Sequence, residues 1–370
     1  MPLTPRPAIL RMTPYSPGKP IDEVKRELGL TDVVKLASNE NPRGPSPLAI
    51  RAVQEAATSM HLYPDAGAFA LRSGMAQHFG VRPDQILLGN GSDELIHLLG
   101  LVFLSGPQDR MIVGDPSFVR YDAAAHISDA QLVKVPLTPD FRLDLPAMAR
   151  AADDATRLVW LANPNNPTGT TVTRAEVDAL LRDLPANTAV VLDEAYFEFA
   201  TDAPDYPDSR DYLRDDGRVI GLRTMSKAYG LAGIRLGYGF APAPVADAIE
   251  RAREPFNCNT LAQVAALAAL ADAEFLVESV RLNTEGRERI HGAFRACGVT
   301  PVNGFANFVL ADLHRPAEPV FQALLREGVI VRSGHVLGLP TFLRVSIGTS
   351  LEVDRFIDAL TRCLTDLARP

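Results

Sequence analysis

Short apolar runs and amphipathic stretches alternate along the chain from about residue 45 to residue 250. The runs at 85–88, 110–113, 132–135, 157–162, 189–193, 218–223 and 235–240 predict seven strands. Several of them are continuously apolar instead of alternating, which is the pattern of a sheet buried on both faces. Between them the spacing predicts helices. One covers 92–104 with Ser92 as its N-cap, and another covers 174–184 after Thr173. Strand–helix alternation of this kind predicts an α/β fold, a mostly parallel sheet sandwiched by helices.

Beyond residue 250 the pattern changes. An alanine-rich helix is expected over 261–271 and a long amphipathic helix over 274–297. Strands at 307–311, 329–332 and 343–347, with helices at 320–327 and 351–367, suggest a smaller α+β unit. Residues 1–20 hold six prolines and cannot form a regular helix, so they read as an extended arm, either a tail or a strap over something else. The expected division is an N-terminal arm over 1–40 that contributes to the small domain and a lid, a large domain over 41–250 and a small domain over 251–370. Repeats and low-complexity tracts are absent from the sequence, which excludes a solenoid.

Composition narrows the class. Apolar residues make up 46% of the 370 positions and charged ones 22%, ordinary values for a globular protein. The net charge is −8, from 37 basic and 45 acidic residues, which argues against nucleic-acid or anionic-membrane binding. Three scattered cysteines (Cys258, Cys297, Cys363) make no disulfide framework, and no run of 18 uninterrupted apolar residues occurs. The seven histidines contain no HExxH pattern, so no metal site is expected. A cytoplasmic enzyme fits these features.

Four segments that follow or link predicted strands carry chemistry: GNGSDE (89–94), ANPNNPTG (162–169), DEAY (193–196) and SKAYGLAGIRLG (226–237). Ligands of open α/β sheets collect at such strand ends. GNGSDE puts two glycines and a helix start after a strand. It is either a plain capped turn or a phosphate cup without dinucleotide or P-loop spacing. ANPNNPTG is either a surface loop or a rigid turn presenting the Asn166 amide to a cleft. Asp193 ends an apolar strand and needs a cationic or N–H partner, which an ion pair or a helix cap would also provide. Lys227 sits among small and apolar residues with Thr224, Ser226 and Arg235 nearby. Most lysines are solvated, but desolvation beside a cation lowers an amine toward the neutral, nucleophilic form. In this order, a phosphate cup, an amide, a buried acid and an activated lysine are the parts of a pyridoxal phosphate site.

With KLASNENPRGPSP (35–47), LYPD (62–65), DPSFVRY (115–121) and LRVSIGT (343–349) added, the collinear set resembles the fold-type I pyridoxal-phosphate aminotransferases. Within them it is similar to the histidinol-phosphate enzymes, over nearly the whole chain. The resemblance implies that Lys227 bonds the cofactor aldehyde and later shuttles the proton, while Asp193 pairs with the pyridine nitrogen. It implies that Asn166 and Tyr196 bind the phenolic oxygen and Phe118 stacks on the ring. Backbone at Ser92 and Asp93, with Thr224, Ser226 and Arg235, would hold the phosphate. Tyr63 would reach the cofactor of a neighbouring subunit in a homodimer.

For substrates, the resemblance assigns anion binding to Arg332 and Arg344, a closing flap to Tyr15, and an approach to the site to Asn39 and Asn41, with substrate contact by Asn41. Either arginine could instead form a surface ion pair. The implied reaction is reversible amino transfer between L-histidinol phosphate and 2-oxoglutarate, in histidine biosynthesis. The rivals are an aromatic amino-acid aminotransferase, a phosphothreonine decarboxylase-like lyase and a non-catalytic cofactor-binding regulator.

Overall fold

A computed structural model describes residues 3–10, 12, 14, 18–214 and 217–367 of the chain. Its central sheet contains β1 (Ile86–Gly89), β2 (Arg110–Asp115), β3 (Gln131–Pro136), β4 (Thr156–Ala162), β5 (Ala189–Asp193), β6 (Val219–Thr224) and β7 (Gly237–Phe240). The spatial order is β1-β7-β6-β5-β4-β2-β3. Neighbours from β6 to β3 are parallel, and β7 runs antiparallel between β6 and β1. Each predicted strand is present, and the α/β class with a mostly parallel sheet is the observed one.

Strand β5 shows why the runs are apolar throughout. Ala189 and Val191 join the core on one face with Leu99, Tyr121 and Trp160, whereas Val190 and Leu192 join the other with Met148, Val177 and Leu180. Helices Ser92–Phe103, Arg120–Ile127 and Ala243–Ala252 cover the first face, and Leu145–Ala151 and Arg174–Asp183 the second. The start of Arg174–Asp183 is fixed by a capping box, in which Thr173 Oγ1 accepts the Glu176 N–H and the Glu176 carboxylate accepts the Thr173 N–H.

The C-terminal part forms an antiparallel sheet in the order Arg332–Ser333, Phe342–Ser346, Phe308–Asp312, Thr300–Pro301. Its core combines Val309, Leu343 and Val345 with Ile290, Phe294, Phe356 and Leu360 from the long helices. The N-terminal segment is tied to this unit. Val34–Lys35 pairs parallel with Val329–Ile330, and Val24 and Ala37 pack on Leu325 and Ile330.

Three expectations need correction. The strand expected at 329–332 is two short strands in different sheets, with Val331 between them. The arm includes a helical turn, Pro7–Leu10, whose first-position proline lacks an N–H that a helix start does not use. Ser92 is the first helical residue and not the cap; Gly91 takes the cap position and makes no side-chain cap bond. Helix Thr260–Leu270, beyond residue 250, packs its Ala262, Ala265 and Ala266 with Ile86, Leu88, Tyr238 and Phe240 of the large sheet.

Candidate active site

Parallel strands bring their carboxyl ends to one edge of the sheet, and antiparallel β7 brings its first residues back to that edge. Asp193 ends β5 and Thr224 ends β6. Ser92 follows β1, Phe118 follows β2, Asn166 follows β4, and Arg235 precedes β7. A cavity of about 260 Å³ opens there. Ser92, Asp93, Phe118, Asn166, Asp193, Tyr196, Thr224, Ser226, Lys227 and Arg235 all line it from the large sheet, and Arg332 and Arg344 from the small one.

At one end the backbone forms an anion cup. Gly91 has φ 77° and donates its N–H to the Arg235 carbonyl at 3.1 Å. A Cβ at Gly91 would strike the Arg235 guanidinium, and one at Gly237 would strike the Ser92 amide nitrogen. Only glycine lets the arginine and the helix start close on the same small volume. Arg235 itself has φ 62° and stands outside the strand predicted for it, with Nη2 3.5 Å from Asp93 Oδ2. The Ser92–Phe103 helix points its N-terminal amides and the positive end of its dipole at this cup, beside the hydroxyls of Thr224 and Ser226.

Asp193 is buried to 4% exposure. Its Oδ2 accepts the Tyr121 hydroxyl at 2.6 Å and its Oδ1 the Ala195 N–H at 3.2 Å. Burial pushes the carboxyl up to about 6 despite these two donors, with Asp93 and Glu194 adding to the rise. Lys227 Nζ donates to the Ser38 carbonyl at 3.3 Å. Burial, then the Arg344 guanidinium and more weakly Arg235, lowers its amine to about 8, against the opposing pull of Glu40 and Asp93. The activating cation expected from sequence was Arg235; Arg344 is the stronger of the two.

Tyr196 Oη accepts the Asn39 side-chain N–H at 2.9 Å. Asn166 Oδ1 accepts Arg344 Nη1 at 2.6 Å, and Arg344 Nη2 donates to the Ala37 carbonyl at 2.9 Å. Phe118 meets Tyr121 edge-on, with centroids 5.7 Å apart, and Tyr121 stacks on Trp160 at 4.7 Å. Arg332 reaches the cavity because the break at Val331 turns it out of the first short strand into the small sheet.

Two candidates lie elsewhere. Asn41 is not among the described lining residues: its amide donates to the Ala228 carbonyl at 2.8 Å and to Ser279 Oγ at 3.1 Å, which commits it to holding the chain behind Lys227. Tyr63 is 83% exposed and stacks on Phe256 at 4.8 Å, away from this chain's own cavity. Tyr15 falls outside the described residues.

Sequence reasoning missed Tyr121 and Glu40. Tyr121 stands three residues after Phe118 in DPSFVRY, one helical turn on, and that spacing was the available signal. Glu40 lines the cavity and pairs with Lys35 at 3.0 Å; nothing in its flanking residues set it apart from a solvated acid.

The residues fit pyridoxal 5'-phosphate. The glycine-made cup suits a phosphate, the Asp193 acid lacks an ion-pair partner among the described residues and suits a ring N–H, and Lys227 lines the same cavity with its amine lowered to about 8.

The family model for aminotransferase class I and II matches residues 31–360. The chain is 48% identical over 360 residues to the histidinol-phosphate aminotransferase of Moorella thermoacetica, covering 97% of this chain and 92% of that one. It is 46% identical over 359 residues to histidinol-phosphate aminotransferase 2 of Carboxydothermus hydrogenoformans, covering 97% and 99%. Among solved structures it superposes on histidinol-phosphate aminotransferase from Sinorhizobium meliloti in complex with pyridoxal-5'-phosphate, with a TM-score of 0.89, 30% identity and 98% of each chain covered.

Proposed function

Since the chain belongs to the class I and II aminotransferases, we propose that it exchanges an amino group between L-histidinol phosphate and 2-oxoglutarate, giving imidazole acetol phosphate and L-glutamate. The observation that carries this reading is one cavity lined by a half-buried amine (Lys227), a buried acid (Asp193) and two guanidiniums (Arg332 and Arg344). A phosphorylated amino alcohol and a dicarboxylic keto acid share no side chain. What they share is a remote anion, which guanidinium binds through paired hydrogen bonds whether it is carboxylate or phosphate.

Bound pyridoxal 5'-phosphate supplies an aldehyde for an amine and a ring that withdraws electrons while its nitrogen is protonated. The phosphate is proposed to lie on the Ser92 and Asp93 amides, Thr224, Ser226 and Arg235. Phe118 stacks on the ring, Asp193 accepts the ring N–H, and Asn166 and Tyr196 bind the phenolic oxygen. Asp193 keeps that proton in place because burial leaves its carboxylate without water to spread the charge. With its amine lowered to about 8, Lys227 Nζ is roughly a tenth neutral at pH 7; it would take the α-proton of the amino donor and hand it to the former aldehyde carbon of the cofactor, and run both transfers in reverse when the keto partner is aminated. Arg344, fixed by Asn166 and the Ala37 carbonyl, orients the substrate anion so that one α-bond stands across the ring.

We place the reaction in the cytoplasm on a homodimer. Exposed Tyr63, Met60, Leu62 and Phe69 support the dimer, in which Tyr63 would complete the neighbouring site. In the proposed division, residues 1–40 form the arm and lid. The large domain begins at 41 and continues past 250 to include helix Thr260–Leu270, and the small domain follows.

The reading is tested by comparing kcat/KM for histidinol phosphate, phenylalanine and tyrosine with 2-oxoglutarate. A preference for the aromatic amino acids would replace the histidinol-phosphate assignment, and carbon dioxide release from O-phosphothreonine would replace the transferase.

A further inference from the structure

Asn39 lies on the segment between the short strand Val34–Lys35 and helix Pro47–Ala56, in the left-handed region at φ 57° and only 2% exposed. Asparagine tolerates that backbone better than most residues. Its polar groups are committed in four directions. The backbone N–H donates to Ser346 Oγ at 2.9 Å, and the Ser346 hydroxyl donates to Asn39 Oδ1 at 2.8 Å. Asn307 Nδ2 donates to the Asn39 carbonyl at 2.8 Å, and Asn39 Nδ2 donates to Tyr196 Oη at 2.9 Å.

The direction of each bond follows from donor inventory. A backbone N–H can only donate, so Ser346 Oγ accepts there and its single proton goes to the Asn39 side-chain oxygen. The amide nitrogen must then be the end that meets Tyr196. Turning the amide over would aim two N–H donors at one hydroxyl and strand the serine proton in a buried site. The phenol oxygen therefore receives a proton from Asn39, and its own proton has to point away from that bond.

We infer that Asn39 is a positioning residue that sets the polarity of the Tyr196 hydroxyl, directing its proton to the phenolic oxygen of the bound cofactor. This rests on the pyridoxal phosphate reading above. The same lock joins the two sheets. Ser346 is two residues from Arg344 on one strand and so shares its face, which ties the phenol's orientation to the strand carrying the substrate guanidinium.

Asn39→Asp tests the inference, because aspartate has nearly the same shape and also tolerates positive φ, but its carboxylate can only accept. Tyr196 would then donate to residue 39 and abandon the cofactor oxygen, which loses a donor that favours its anionic form. The visible band of protein loaded with pyridoxal phosphate should titrate about one unit or more higher, since one charge-assisted hydrogen bond is worth about that much, and cofactor affinity should fall roughly tenfold. In a Tyr196→Phe background the same substitution should move the midpoint by less than about 0.3 unit. Asn39→Gly, which keeps the backbone conformation and removes the amide, should shift the midpoint the same way by a smaller amount. An unmoved midpoint in either single variant overturns the inference. So does an equal shift with and without the Tyr196 hydroxyl, which would mean that charge at 39 acts through space. If the parent protein forms no visible band with pyridoxal phosphate, the cofactor reading itself is overturned and the inference goes with it.

Discussion

Asp193 and Glu194 are consecutive acids, both buried, and the sheet sends them to opposite faces with opposite outcomes. Glu194 closes a network that is complete within the protein. Its carboxylate accepts the Ser209 N–H at 2.8 Å, the Ser209 hydroxyl at 2.7 Å and Arg223 Nε at 2.9 Å. Arg223 also donates to Asp208 at 2.9 Å and lies 3.3 Å from the Phe197 ring centroid. Burial pushes the Glu194 carboxyl up while the neighbouring guanidinium opposes it, and Arg223 is held firmly charged by the acids around it. Asp193 has one phenol and one amide N–H and, among the described residues, no ion pair. One acid is spent on the fold; the other carries a charge that the protein leaves for a ligand to balance. Lys227 is in the same position with opposite sign.

The largest break in this comparison is expected from Lys227→Ala, which removes the amine that bonds the cofactor and moves the proton. Single-turnover assays should show transamination reduced by about 10³-fold or more, and borohydride should no longer tag position 227. Retention of parental activity would end the mechanism.

Next in size is Glu194→Ala. It leaves Arg223 charged and buried with Asp208 as its remaining partner, and should cost about 3–5 kcal/mol in denaturant unfolding. Asp193→Asn should do the reverse in protein free of cofactor. Its folded carboxyl, at about 6, lies above the ordinary value of 3.8, so ionisation opposes folding above pH 6. The variant should therefore be the more stable by up to about 3 kcal/mol at pH 7.5, and the gap should close as pH falls from 6 toward 4. Its activity should drop sharply all the same.

Lys227→Met sharpens the point through the opposite pH window. The folded amine, at about 8, lies below the ordinary 10.5, so the charged form opposes folding fully below pH 8 and the penalty fades between 8 and 10.5. Cofactor-free Lys227→Met should exceed the parent by up to about 3 kcal/mol at pH 7 and converge with it near pH 10.5. A constant offset across that range would show that packing, not charge, sets the difference. The smallest effect is expected from Tyr121→Phe, which keeps the stack on Trp160 and removes one donor to Asp193. A loss of about tenfold in kcat, with unfolding free energy lowered by about 1 kcal/mol because a buried carboxylate oxygen loses its donor, is the expected result.

Legibility followed how local the cause is. The strand at 189–193 could be read because a sheet covered on both faces requires an unbroken apolar run, and Thr173 with Glu176 announces its helix start within four residues. Lys227, Asp193, Asn166, Tyr196 and Arg235 could be placed at one site because strand ends in this topology converge on one edge. Tyr121, Glu40 and the Asn39 lock could not be assigned roles, since each depends on a partner 72, 187 or 307 positions away or on the shape of a cavity. Asn41 went the other way: its neighbours in NENP point to the site, and Ser279 on a distant helix takes its amide.

The chain's order of apolar runs, turn residues and caps determined the layers, the edge at which chemistry would collect and the residue types available there, because each of those is settled by interactions within a few residues. Which of two adjacent acids is satisfied and which is left open was decided by packing around the large sheet, while which guanidinium depresses the lysine and which way a phenol points were decided only when the two sheets met. Those properties belong to burial and to pairs of atoms that backbone spacing alone cannot bring together.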